Sequence, residues 1–259
     1  MVDLGYESHN EILNLGSLAI FLVLYFLKVI LYFLLLPLSI IRPQLESTKN
    51  KLKKGLFFND LIALLEEAYF EMLISTYLQF KAPLNTANGE VSSTGFGYIS
   101  VFLVLLFLPA ACIWVLSQPL ERLREEEFKN SWEDLYTGMK TRSKWEVAYY
   151  FGFMLRRQMY VAIAFLLLNK DYEHIMAMNF LNLAWIIYLG GSWPHQLRAI
   201  NMLDLANEFV IIVAFLHLFI FTEWGPDLEM QYLIGWSMNG FVALLITFNL
   251  FFVFKHGGH

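Results

Sequence analysis

Seven apolar runs of bilayer length set the limits on what this chain can become: 13–41, 56–80, 95–117, 145–168, 173–191, 205–223 and 232–254. About 20 apolar residues in a helix cross a hydrocarbon core about 30 Å thick. In lipid, every backbone N–H and C=O must be satisfied within the protein, and a helix does this inside one segment. The expected fold is therefore all-α, with seven transmembrane helices forming one polytopic domain over residues 1–259. Composition agrees. The chain is 58% hydrophobic and 16% charged, against about 45–50% and about 25% in soluble domains. Nearly every segment between the runs contains or adjoins a proline, as expected where a helix must stop.

The bases fix an orientation. Arg42, Lys49, Lys51, Lys53 and Lys54 follow the first run. Arg122, Arg124, Lys129, Lys140, Arg142 and Lys144 follow the third, Arg198 the fifth and Lys255 the seventh. The alternate segments hold only Lys81 and Lys170. Basic loops stay on the inner side of a membrane, so the amino terminus is expected outside and the carboxy terminus inside. Removing any one run would put a basic loop opposite its partners. A plasma or ciliary membrane is the expected location, and a mitochondrial inner membrane obeys the same charge rule. The segment 118–144 carries Trp132, Leu135, Tyr136 and Met139 at helical spacing and reads as an amphipathic surface helix between the third and fourth spans. The first run follows a short acidic tail, residues 1–12, and is too long for the core of a cleavable signal peptide.

The second run is the anomaly. It carries Asp60, Glu66, Glu67 and Glu71. A carboxylate in hydrocarbon needs a partner, a proton or water. Glu67 and Glu71 lie one above the other on a helix face, with Asp60 and Ser75 continuing the stripe and Glu66 about 100° away. Such a stripe faces protein or a water path. It can line a route for cations or protons, or it can be neutralised by bases at similar depth. Arg156 and Arg157 in the fourth run and Lys28 in the first are the candidates. Adjacent arginines diverge on a helix, so one is expected to face the interior and the other to snorkel or meet a different helix.

Other polar residues are more modest. Glu208 and His217 lie in the sixth run, and a membrane histidine most often serves as a helix–helix hydrogen bond. Asn179 and Asn182, three apart in the fifth run, either line a polar cavity or bond between helices, the second being favoured. Cys112 is the single cysteine, which excludes an intrachain disulfide and a cysteine metal site. The histidines are scattered and suggest no metal, and no cofactor is expected. A retinal protein needs a Schiff-base lysine in its last span, and 232–254 has none. No phosphate-binding glycine loop, HExxH helix or GxSxG elbow is present, so the chain is not expected to be an enzyme.

Several strings carry a resemblance. Leu4-Gly-Tyr-Glu-Ser-His-Asn10 followed by Leu13-Asn-Leu-Gly-Ser17, Glu67-Ala-Tyr-Phe-Glu71 with Ser75-Thr-Tyr-Leu78, Met176-Ala-Met-Asn-Phe-Leu-Asn182, Leu205-Ala-Asn-Glu-Phe209, and Phe221-Thr-Glu-Trp224 with Gly235-Trp236 resemble the polytopic carboxy-terminal region of large ciliate surface proteins. That region is distantly similar to the membrane part of fungal TRP-like proteins. The resemblance implies a channel-like membrane domain. In such proteins a large cysteine-rich ectodomain precedes the membrane block, so this sequence is expected to be a stand-alone relative or a piece of a longer protein.

Three functions follow as expectations. The first is a TRP-like domain conducting cations or protons along Glu67 and Glu71, with Arg156 as counter-charge. The second is a non-catalytic structural or anchoring subunit of a larger membrane complex. The third, resting on topology alone, is a seven-helix receptor. Expected partners are the lipid bilayer, cations or protons, and further copies of the chain or a larger complex; nucleic acid is not among them.

Overall fold

The computed structural model describes residues 16–56, 59–81, 99, 102–168, 170–222 and 225–256. The acidic tail expected at 1–12 and the polar loop at 82–94 lie outside these residues, as do Trp224 and 257–259. The described residues are helical throughout, apart from connecting turns and one isolated bridge between Met139 and His195. Four stretches among them are long and apolar enough to cross a membrane: Val23–Ile41, Asp171–Ser192, Arg198–Phe221 and Leu228–Lys255. The chain divides into two compact units, one of residues up to Thr137 together with Thr141–Val161, the other of Gly138–Lys140 and residues from Ala162 onward.

The first unit opens with α1, Gly16–Ile41. A short 3-10 turn, Pro43–Leu45, leads into α2, Glu46–Leu56, and α3 follows as Asn59–Lys81. The basic stretch expected as a surface loop is thus mostly helical. Its direction matters more than its helicity. The Tyr25 hydroxyl donates to the Leu56 carbonyl at 3.0 Å, and Lys28 Nζ lies 3.2 Å from Asp60. At about 1.5 Å of rise per residue, Lys28 sits about 20 Å back from the end of α1, and α2 is about 16 Å long. So α2 doubles back along α1, and α3 begins beside the middle of α1, not at its C-terminal end. Tyr32, Leu35 and Ser39 are the buried stripe of α1, while Ile40 and Ile41 are exposed.

The α3 helix is the centre of this unit. Ile62, Leu64, Leu65, Ala68, Tyr69, Met72, Leu73, Ser75, Thr76 and Leu78 are all buried. A helix buried around most of its circumference belongs in a core, and Asp60, Glu66 and Glu71 are each only partly exposed on it. The Lys28–Asp60 pair is its edge. Both groups retain exposure, 50% and 29% of their side chains, and partly exposed pairs contribute about 0–1 kcal/mol. Asp60→Asn is therefore expected to lower thermal stability in detergent by at most about 1 kcal/mol. A loss several times larger would show that lipid shields the pair.

A π-helical turn, Phe102–Phe107, precedes α4, Leu108–Ser117. Pro109 accounts for it: the ring lacks an N–H and crowds the carbonyl one turn back, and a wider turn relieves both problems. The apolar helical stretch here runs Leu105–Ser117, about 20 Å and short of the hydrocarbon core. Segment 118–144 is not one amphipathic helix. It breaks into a 3-10 turn Arg122–Arg124, helix α5 Glu126–Trp132, and a 3-10 turn Glu133–Tyr136, because Glu125 is extended (φ −69°, ψ 133°). Its apolar residues turn inward. Leu123, Phe128, Leu135 and Tyr136 are buried, and the Tyr136 hydroxyl donates to the Leu123 carbonyl at 3.0 Å. Trp114 of α4 stacks on Phe128 (5.5 Å between centroids) and meets Trp132 (4.6 Å). Lys144 Nζ donates to the carbonyls of Leu116 and Gln118, closing the exposed C-terminus of α4 as a cation does best. A capping box between Ser143 and Glu146 then starts the short α6, Lys144–Val147, and α7 runs Tyr149–Leu166.

In the second unit, α8 is Asp171–Ser192, α9 is Arg198–Leu218, a 3-10 turn covers Phe219–Phe221, and α10 is Leu228–His256. The α9 helix starts at Arg198, within what the sequence presents as a loop to 204. Trp193 ends α8 in the left-handed region (φ 46°), and Pro194 blocks continuation. The turn is tied to 138–140: Lys140 N–H donates to Pro194, Lys140 Nζ to Trp193, and Gln196 N–H to Gly138. The α10 helix is open on most faces, with Leu244, Phe251 and Phe254 all more than 60% exposed.

Candidate functional site: the carboxylates around Glu66

Within the first unit, the sides of α3, α4 and α7 bring together polar groups that the sequence scatters. Tyr69 is almost wholly buried, and its hydroxyl accepts from Gln158 Nε2 at 2.7 Å. Cys112 is buried against Met154, with Sγ 3.8 Å from the thioether sulfur. Glu66 lies one turn before Tyr69, within electrostatic reach of Arg157, Asp134 and Cys112. Its Oε1 is sealed from solvent and has no hydrogen-bond partner among the described residues. Buried polar atoms are overwhelmingly hydrogen-bonded, so this atom is the outstanding feature of the site.

The two arginines diverge. Arg156 is buried; its guanidinium donates to the Tyr160 hydroxyl (2.8 and 3.2 Å) and lies over that ring. Arg157 spreads over the Phe153 ring (4.1 Å) and near Phe70 (6.0 Å), a cation–π seat. Both make further contacts, as does Glu71. Lys28, the third candidate base, is placed at Asp60. The side chain of Glu67 lies outside the described residues.

Asp134 joins the cluster from the broken 118–144 segment. Burial pushes its carboxyl up from the ordinary value of 3.8; Asp60 and Glu133 add to the shift, while the Thr137 hydroxyl and Lys28 oppose it. Asp60, Asp134 and Glu66 thus form a series in which each acid feels the next. Burial also pushes the Tyr136 hydroxyl up to about 12. A carboxyl whose folded value is raised stabilises the fold below its unfolded value and loses that contribution as pH climbs through the folded one. Asp134→Asn is therefore expected to flatten the fall in melting temperature above pH 3.8, measured in detergent. A variant with an unchanged slope would remove Asp134 from the cluster.

The remaining sequence candidates lie in the second unit, and helix-to-helix or local bonds engage most of them. His217 Nδ1 donates to the Val213 carbonyl at 2.7 Å, and its Nε2 lies 3.3 Å from the Ser237 hydroxyl. Asn179 Nδ2 donates to Ile175 at 3.1 Å, while its Oδ1 is buried with no hydrogen-bond partner among the described residues. Asn182 is fully buried and Glu208 nearly so, and both make polar contacts. No group of three His, Cys, Asp or Glu residues arranged to hold a metal occurs among the described residues.

Two features carry no obvious signal in the sequence. Asp134 is one acid in a charged segment. His195 Nε2 lies 2.6 Å from Asp204, and Asn201 bonds both the N–H and the carbonyl of His195. The Trp193-Pro194 pair, a helix stop followed by buried polar residues, was the available hint for the second. No family model, no curated protein and no solved structure matches the chain.

Proposed function

We propose that this multi-pass membrane protein moves protons or cations through the carboxylates of its first unit. Glu66 is the exchanging group, Asp134 and Asp60 lead toward the exposed edge, and Arg157 is the counter-charge. One observation supports this above the others: the buried Glu66 Oε1 without a hydrogen-bond partner among the described residues. A carboxylate retained only to lock packing is expected to have both oxygens satisfied. A carboxyl that takes up and releases a proton or a cation needs an open position. Glu67-Ala-Tyr-Phe-Glu71 resembles the second helix of the ciliate surface-protein region, itself distantly similar to TRP-like membrane regions, and this resemblance is in keeping with the reading. Seven crossings with the amino terminus outside, in a plasma or ciliary membrane, belong to this proposal, as does the absence of a catalytic role. The test is flux of protons, and separately of potassium and sodium ions, in vesicles containing the pure chain. Uptake above that of protein-free vesicles is expected, and none under any gradient would overturn the reading.

A structural or anchoring role is the second reading, and the second unit favours it. Its Asn207 and Asn249 amides bond each other reciprocally at 3.1 and 2.7 Å, and His217 bridges to Ser237, the uses of membrane polar groups that hold helices together. If anchoring is the whole function, the protein co-purifies with fixed partners and Glu67→Gln weakens that assembly.

A further inference from the structure

Asn239 is exposed on α10, about 16 Å from the start of that helix, which places it near the middle of a membrane-length apolar stretch. No hydrogen bond reaches its amide among the described residues. It borders an open groove of about 440 Å³, also lined by Phe221, Gln231, Tyr232, Gly235 and Trp236. Downstream on the same face, Val242 and Ile246 are exposed. Tyr232, Gly235, Asn239, Val242 and Ile246 follow the alternating three- and four-residue spacing of a helix-pairing seam.

The occupant has to be apolar along the seam and has to offer both a donor and an acceptor at one depth. A lipid chain would leave the amide unmet. A second α10 meets both needs. Two copies inserted in one membrane share the same orientation, so a twofold axis along the membrane normal sets each seam residue opposite itself. An asparagine amide is self-complementary, donating and accepting at once. The protein already uses this pair: Asn207 of α9 and Asn249 of α10 bond reciprocally. A single asparagine in an otherwise apolar seam is also what fixes register and copy number in paired helices.

We propose that α10 pairs with α10 of a second copy, with the two Asn239 amides bonded across the axis. The test is energy transfer between donor- and acceptor-labelled full-length chains in vesicles diluted stepwise with lipid. Pairing is expected in the unchanged chain, a loss of about tenfold or more in association is expected for Asn239→Leu, and near-native pairing is expected for Asn239→Gln. Circular dichroism checks that each variant keeps its helices. If Asn239→Leu fails to insert, Asn239→Cys in a Cys112→Ser chain replaces it, and oxidation is expected to give a crosslinked dimer. A chain that is monomeric at every dilution, pairing unaffected by Asn239→Leu, or no crosslink overturns the proposal.

Discussion

Replacing Glu66 with glutamine is expected to reduce flux to the level of protein-free vesicles while leaving helicity and melting behaviour close to those of the unchanged chain. Glutamine keeps the shape and one carbonyl oxygen but cannot exchange a proton or hold a cation by charge. The fold has little to lose. Glu66 Oε1 makes no hydrogen bond among the described residues, so no such bond is broken there. Removing the charge ends its repulsion with Asp134 and its attraction to Arg157 together, and the two oppose each other. A purely structural carboxylate predicts the reverse pattern, with flux absent from the start and stability lowered by the substitution. Glu71→Gln is the paired comparison. It alters the stripe that the sequence favours without touching Glu66, and a full loss there with flux retained in Glu66→Gln would move the path to the other face of α3.

Phe128→Ala is the second large effect. Phe128 is buried, stacks on Trp114, lies 6.4 Å from Tyr136 and has the Arg122 guanidinium 5.6 Å over its ring. Truncating a buried phenylalanine typically costs about 3–5 kcal/mol through lost contacts and a residual cavity. Here the consequence extends beyond stability, because the segment that Phe128 pins also carries Asp134. Thermal unfolding in detergent is expected to show a loss of that size, with the pH dependence due to Asp134 reduced as well. Had 118–144 been a helix lying on the membrane surface, the same change would alter lipid binding and leave the melting temperature almost unmoved.

The contrast shows which parts of the fold the residues announce. Runs such as 228–256 and 171–192 are continuous, apolar and long, and nothing but a helix suits them in lipid. The 46–56 stretch reads as a loop because four lysines obscure its helical character, and its return along α1 depends on contacts, Tyr25 to Leu56 and Lys28 to Asp60, that no periodicity encodes. The acids of α3 were legible as a problem, though not in their solution. Spacing selects Glu67 and Glu71 as a stripe, but which face of a buried helix matters is decided by its neighbours. Arg157, Cys112 and Asp134 lie within electrostatic reach of Glu66. Asp134 was hidden for a related reason. Its segment has helical spacing of apolar residues, and the extended Glu125 that breaks it leaves no mark in the pattern.

On the proposed function, Glu66 exchanges a proton or cation inside the protein. Infrared difference spectroscopy across a pH step tests it most directly, comparing the unchanged chain with Glu66→Gln. The unchanged protein is expected to show a carboxyl C=O band that grows and fades with pH and is missing from the variant. A spectrum identical in the two proteins would contradict it.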